Sequence, residues 1–353
     1  MDPQLHDIHI DGIRSLVAPV VVIEEIPVEP DERDFVVQSR EAARKIFSGE
    51  DDRVLVVVGP CSIHDRESAI EYAGKLKAVS DELSDDLLLV MRVYFEKPRT
   101  TLGWKGYIND PDCDGSFHIN RGIEMARSLL VELAKMGVPA GTEFLDTITP
   151  QYIADAVTWG AIGARTTESQ VHRQLTSGLS MPVGFKNGTD GNIKISIDAI
   201  GAAKGAHHFM GVTKEGISAI VDTKGNDSCH VILRGATAGP NHDAESVGTV
   251  LNQIEGAGLA PYIMVDCSHG NSRKDHTRQP AVSEDLATQI ADGQRGIAGI
   301  MLESHLVAGA QKAVPGEALT YGQSITDACM DWETTAEVLR ELAGAVRSRR
   351  AKA

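Results

Sequence analysis

The chain has 353 residues, 42% of them hydrophobic, enough for two average domains or one large barrel with additions. A formal charge of −16 argues against nucleic acid or an anionic membrane as partner. No apolar run approaches the roughly 20 residues of a membrane span, the start MDPQLHDIHIDGI lacks signal-peptide features, and the five scattered cysteines make no disulfide framework, so a cytoplasmic location is expected.

Residues 1–48 read as an N-terminal extension packed on the main domain or on a neighbouring subunit. Within it, 17–30 is apolar, acidic and punctuated by proline, and 31–48 reads as a helix. From 53 onward strand and helix alternate, the pattern of a parallel sheet. The first strand, 54–59, is an apolar β-branched run with no polar alternation, closed by Gly59-Pro60, as in a strand buried on both faces. A helix follows over 66–83. The next strands are expected at 87–95, 138–144, 161–166 and 181–185, with helices over 121–136, 150–159, up to about 179, and 193–203. Thr149 suits a helix N-cap and Pro150 a first helical position. The rhythm then breaks at 207–212 and 218–222, two short strand-like runs that predict a hairpin inserted within 205–228. Core strands resume at 230–234, 262–267 and 296–303, with helices over 243–255 and 282–292 and a closing helix from 332 to about 347.

About eight such units predict an α/β fold, a TIM (β/α)8 barrel over 49–353, with the 1–48 extension and the hairpin as additions. A doubly wound sheet is the alternative, and no Gly-x-Gly-x-x-Gly follows any strand to support it. In a barrel the residues at the strands' C-terminal ends converge on one mouth. Here they are Cys61, Arg92 and Lys97, Glu143, Arg165, Lys186, Arg234, His269 and Glu303. So many cations are costly to bury without an anion, so the mouth should hold a phosphate, or a phosphate plus a carboxylate. Cys61, His269 and Glu303, with Asp327 in the loop past the last strand, form a thiolate, imidazole and carboxylate set able to take a divalent metal. The loop YFEKPRTTLGWK at 94–105 offers Lys97, Arg99 and two threonine hydroxyls around Pro98 as a second phosphate clamp. His64, His172 and His305 are further candidates for proton transfer.

GPCSIHD, MRVYFEKPRTTLGWKG, GTEFLDTITPQY, WGAIGARTTESQVHR, PVGFKNGTDG, HVILRG, VDCSHGNS and YGQSITDAC together resemble the class I, aromatic-amino-acid-regulated 3-deoxy-D-arabino-heptulosonate 7-phosphate (DAHP) synthase family of the shikimate pathway. The resemblance runs from about residue 7 to about 349. It implies metal-dependent condensation of phosphoenolpyruvate with erythrose 4-phosphate and water, releasing phosphate. It implies Cys61, His269, Glu303 and Asp327 as ligands of Mn, Fe, Co or Zn, with Mn favoured. Phosphoenolpyruvate would be held by Arg92, Lys97, Glu143, Ala164, Arg165, Lys186 and Arg234. Erythrose 4-phosphate would be held by Lys97, Pro98, Arg99, Thr100 and Asp327. Lys97 is expected to deliver a proton near the aldehyde, and Glu143 or His269 to place the water. Feedback inhibition is implied at Asp146, Pro150, Gln151, Leu175, Leu179, Ser180, Phe209, Gly211 and Val221, with Asp7 and Ile10 reaching in from a neighbouring chain of a homodimer or homotetramer. Glycine at 211 leaves room for a phenol hydroxyl, which favours tyrosine over phenylalanine as inhibitor. Rival readings are a Schiff-base aldolase with Lys186 as the amine, a non-catalytic phosphometabolite sensor, and a sister enzyme acting on arabinose 5-phosphate.

Overall fold

The unbroken β-branched run makes Val54–Gly59 a strand buried along its whole length. In the computed structural model, which describes residues 5–314 and 317–352, this strand is hydrogen-bonded on both sides. Leu87–Arg92 lies on one side and Ile297–Glu303 on the other, both parallel to it. Between those two, Ala140–Glu143, Trp159–Ile162, Val183–Lys186, Cys229–Leu233 and Ile263–Asp266 follow in chain order and complete a closed parallel barrel. Closure rules out the doubly wound alternative. The period-2 geometry of a strand divides each one's side chains between two layers. Val54, Val56 and Val58 face the surrounding helices, while Leu55 and Val57 join Val90, Ala161, Ile232, Met264 and Met301 inside the barrel. The register Gly59↔Glu303 brings the end of the last strand beside the turn that carries Cys61.

The helix Pro30–Ser48 opens with proline in its first turn, followed by Asp31 and Glu32, both favourable at a helix N-terminus. It ends at Gly49, whose left-handed φ of 79° lets its N–H reach back to Lys45 and Ile46. Ala43, Ile46 and Phe47 belong to the same cluster as the inward strand residues, so the helix stoppers the barrel at its N-terminal end. Phe47 stacks on His230 with ring centroids 3.5 Å apart and planes 9° apart.

Several elements differ from expectation. The helix expected over 150–159 is one turn, Pro150–Ile153, and a 3₁₀ turn, Ala154–Ala156. The fourth strand starts at Trp159 rather than 161. Trp159 is wholly buried and donates Nε1–H to His230 Nε2 at 3.2 Å, which ties it to the barrel interior. Pro19–Glu25 is helical where the extension showed no helix signal. Val307–Ala310 and Gln323–Ser324 form an unanticipated parallel ribbon leading to Asp327. The inserted hairpin is present: His208–Val212 and Ser218–Asp222 pair antiparallel, with Phe209 opposite Val221. No helix among the described residues is long and apolar enough to cross a membrane.

His230 generates a stability prediction. Burial holds its imidazole neutral, with a pKa pushed down to about 3. The unfolded chain takes up this proton near pH ~6.5. Below that pH the unfolded state therefore binds more protons, and stability falls as pH falls towards 3. His230→Phe is expected to cost about 1–3 kcal/mol at neutral pH, because Trp159 loses its acceptor. The variant should also lose stability less steeply on acidification. Urea unfolding at pH 7.5, 6 and 5 measures both; an unchanged slope would clear His230.

Candidate active site

The strand ends converge as a barrel requires. A cavity of about 410 Å³ at the C-terminal mouth is lined by Arg92, Lys97, Glu143, Ala164, Arg165, Lys186 and Arg234, and by Pro98, Arg99, Thr100 and Asp327. His269 and Glu303 line it too. Cys61 lies just beneath, fully buried, with its sulfur 3.1 Å from Lys97 Nζ.

The cations are placed at different depths. Arg92 is buried to 1% exposure, with its guanidinium over the Tyr94 ring at 3.5 Å. Its Nε donates to Pro60 O at 3.1 Å, and its terminal nitrogens contact Met301 Sδ at 3.2 Å, Cys61 O at 3.2 Å and Glu303 Oε1 at 2.9 Å. A guanidinium has five N–H groups, so Arg92 keeps little donor capacity for a ligand. Lys186 is buried and pairs with Asp266 Oδ2 at 2.9 Å. Arg165 is exposed at the rim, where it reaches Pro98 O at 3.5 Å. Burial pulls the Arg234 pKa down, and the nearby Asp266 partly restores it. Burial also works against the charge on Lys97, but the Cys61 sulfur and the Glu303 and Asp327 carboxylates outweigh it, and the ammonium's pKa stands above its ordinary value.

Glu143 Oε1 is buried with no protein partner. Gly163, one strand over, makes this possible: a Cβ there would fall 2.2 Å from that oxygen. An ionisable oxygen kept free at the base of a polar cavity is suited to hold a water.

On the other wall, donor atoms of Cys61, Glu303 and Asp327 all lie within 4.8 Å of one another. His269 Nε2 stands 3.8 Å from Glu303 Oε1, and its Nδ1 lies 2.8 Å from Asp266 Oδ2. Sulfur, imidazole and two carboxylates suit a first-row divalent ion, and three acidic groups so close together call for a cation among them. Burial pushes the Cys61 thiol pKa up and Glu303 adds to the rise, opposed by the nearby Lys97 and Arg92 cations. His269 occupies the left-handed region at φ 55°, a conformation that costs a non-glycine residue of order 1–3 kcal/mol.

Sequence reasoning missed Asp266. Burial favours its protonation, but the Lys186 ammonium and His269 hold its carboxyl well below the usual range. The sequence signal is an acid closing an otherwise apolar strand, three residues before the histidine. His64, His172 and His305 do not line the mouth. His172 bonds Ser169 Oγ and Leu145 O, while burial pushes His64 down and His305 down to about 4.

The residues expected to regulate converge only in part. Pro150, Gln151, Leu175, Leu179, Ser180, Phe209, Gly211 and Val221 line one cavity of about 340 Å³ between the hairpin and the barrel. Lys214, not anticipated, lines it too and donates to Gln151 O. Asp146 instead lines a neighbouring cavity with Glu96. Asp7 and Ile10 are exposed within the single chain.

The sequence profile of the DAHP synthetase I family matches residues 25–340. The chain is 55% identical over 350 residues to the Phe-sensitive phospho-2-dehydro-3-deoxyheptonate aldolase of Escherichia coli K12, covering 99% of this chain and 100% of that one. It is 53% identical over 350 residues to the tyrosine-inhibited phospho-2-dehydro-3-deoxyheptonate aldolase of Schizosaccharomyces pombe, covering 98% of this chain and 94% of that one. The solved structure of phospho-2-dehydro-3-deoxyheptonate aldolase from Francisella tularensis SCHU S4 superposes with a TM-score of 0.95 at 52% identity, covering 97% of this chain and 99% of that chain.

The donor cluster predicts a spectroscopic signature. Cobalt(II) added to the protein is expected to give a near-ultraviolet sulfur-to-metal charge-transfer band, and Cys61→Ala to lose it. A band that survives the substitution assigns the thiolate to another of the five cysteines.

Proposed function

The chain belongs to the DAHP synthetase I family and its activity is that of a 3-deoxy-7-phosphoheptulonate synthase; from that premise we propose how its own residues divide the work. The observation that carries the reading is the two-sided mouth, with cations on one wall and a thiol, imidazole and carboxylate cluster on the other.

Phosphoenolpyruvate lies against the cationic wall. Arg165, Lys186 and Arg234 take its phosphate. Lys186 and the remaining N–H of Arg92 take its carboxylate. Erythrose 4-phosphate enters above it, with its phosphate held by Arg99 and Thr100 and its aldehyde end near Lys97 and Asp327. Pro98 stiffens the turn that presents them. Cys61, His269, Glu303 and Asp327 hold a divalent ion, with manganese favoured, which when bound supplies Lewis acidity at the aldehyde oxygen. C3 of phosphoenolpyruvate forms the new bond to the aldehyde carbon, and Lys97 delivers the proton that the aldehyde oxygen takes up. Water, placed by the free oxygen of Glu143, adds to C2 and loses a proton; the bond from C2 to the phosphate oxygen then breaks as the new C2 hydroxyl gives up its proton and becomes the ketone, releasing inorganic phosphate. Glu143 is preferred to His269 for the water because His269 Nδ1 already faces Asp266 and Ser268.

Lys186 is not an amine nucleophile on this reading. A Schiff base needs a free lone pair, and an ammonium donating to a buried carboxylate has none.

The cavity beside the hairpin takes an aromatic amino acid, with Asp146 close by and Asp7 and Ile10 supplied by a neighbouring copy in a homodimer or homotetramer. The division into an extension over 1–48, serving oligomer contact and regulation, and a barrel over 49–353 belongs to the same proposal, as does a cytoplasmic location; within the extension the helix Pro30–Ser48 also closes the barrel's N-terminal end. Tyrosine is favoured as inhibitor. A Cβ at Gly211 would lie 2.7 Å from Val221 Cγ2, so any side chain there would push Val221 aside and narrow the room left for a ring substituent.

Mixing the two substrates with manganese-loaded protein should release phosphate, and chelation should stop it. Borohydride with either substrate should trap nothing; trapping at Lys186 would overturn the assignment. Lys97→Met should lower kcat by at least ~10²-fold while changing phosphoenolpyruvate affinity far less; equal losses would remove the proton role. Tyrosine should inhibit more strongly than phenylalanine or tryptophan, and Gly211→Ser should weaken that inhibition. Insensitivity to tyrosine would reverse the preference.

A further inference from the structure

Asp266 ends the seventh barrel strand at 0% exposure, and neither the anion-binding nor the metal-binding set includes it. Its Oδ1 accepts from Ser268 N at 2.9 Å and from Ser268 Oγ at 2.6 Å. Its Oδ2 accepts from Lys186 Nζ at 2.9 Å and lies 2.8 Å from His269 Nδ1. One oxygen thus serves a lysine from the anion-binding wall and a histidine from the metal-binding wall.

We propose that Asp266 is a positioning residue that couples the two halves of the site, so that a divalent ion at His269 and phosphoenolpyruvate at Lys186 tighten each other's binding through Asp266 Oδ2. The inference rests on the division of the mouth proposed above. It assigns Asp266 no contact with substrate.

The physical reason is competition for one acceptor. His269 Nδ1 lies 2.8 Å from Asp266 Oδ2 and 2.6 Å from Ser268 Oγ; an Nδ1–H shared with that carboxylate leaves the ring's lone pair on Nε2, the nitrogen nearer Glu303. A cation on Nε2 draws electron density from the ring and makes Nδ1–H a stronger donor. Oδ2 then gives more of its charge to His269 and less to Lys186. The ammonium, less neutralised, attracts an incoming phosphate or carboxylate more strongly. In reverse, an anion that draws on Lys186 leaves Oδ2 freer to polarise His269, which makes Nε2 the better ligand. Linkage requires the two effects to be equal.

The test is direct binding, without turnover. Phosphoenolpyruvate affinity is measured calorimetrically on metal-free and manganese-loaded protein, and manganese affinity with and without phosphoenolpyruvate. In the wild type, manganese is expected to tighten phosphoenolpyruvate by about fivefold or more, with the same factor in the reciprocal titration. Asp266→Asn keeps the size but turns one acceptor into a donor. It should weaken manganese by about 10- to 100-fold and bring the coupling factor close to one. A merely structural role would lower both affinities or the melting temperature without changing the factor. Ser268→Ala, which keeps the carboxylate but removes the hydroxyl that bonds Asp266 Oδ1 and contacts His269 Nδ1, should lower the factor in the same direction and serves if Asp266→Asn does not fold. A wild type with no coupling, or variants that retain it in full, would overturn the proposal. A wild type that binds neither manganese nor phosphoenolpyruvate would instead refute the reading of the site.

Discussion

Charge balance inside a closed barrel is the constraint on which this structure depends. Parallel strands with period-2 side chains leave no choice about where their C-terminal residues go. Once Arg92, Glu143, Lys186, Asp266 and Glu303 stand at strand ends, they meet, and nearly all are out of water. Buried ions survive only when paired or hydrogen-bonded. The molecule answers with two internal pairings, Arg92 with Glu303 and Lys186 with Asp266, and leaves the remaining capacity to ligands. Lys97, placed on the Cys61 sulfur and carbonyl oxygen, joins one wall to the other.

This arrangement separates holding from reacting. Arg92 is fixed by backbone carbonyls, a thioether and a carboxylate over an aromatic face, which makes it a rigid part of the floor. Arg165, Arg99 and Thr100, exposed at the rim, can adjust to what enters. Preorganised charge below and adaptable charge above suit a reaction in which one substrate is set before a second is brought to it.

Most of the barrel was legible because its strands are short, largely apolar segments, Val54–Gly59 above all, spaced regularly by helices. The strand-end residues were legible for the same reason. The failures have local causes. At 150–162 apolar residues run through both the helical turn and the strand with only Gln151, Asp155 and Thr158 between them, so hydropathy does not mark where one ends and the other begins; the deciding fact, that Trp159 reaches His230, is a contact between residues 71 positions apart. Pro19–Glu25 carries three consecutive valines, which favour strands over helices, and is helical because tertiary packing buries Val22. Asp266 was hidden by its own burial, since its importance lies in partners at 186, 268 and 269 rather than in the run that contains it. Asp146 falls on the far side of the wall that carries Pro150 and Gln151, a distinction of a few residues that spacing cannot resolve.

The stopper formed by Pro30–Ser48 changes how the N-terminal region should be regarded. Phe47 and Ile46 share a hydrophobic cluster with Leu55, Val57 and Met301, so the barrel's interior is finished by a segment that precedes its first strand. Cutting the chain at residue 48 would uncork the barrel and expose to solvent a set of side chains that no loop could re-cover. Any shortened version meant to keep the barrel closed must therefore retain this helix and trim only what lies before it.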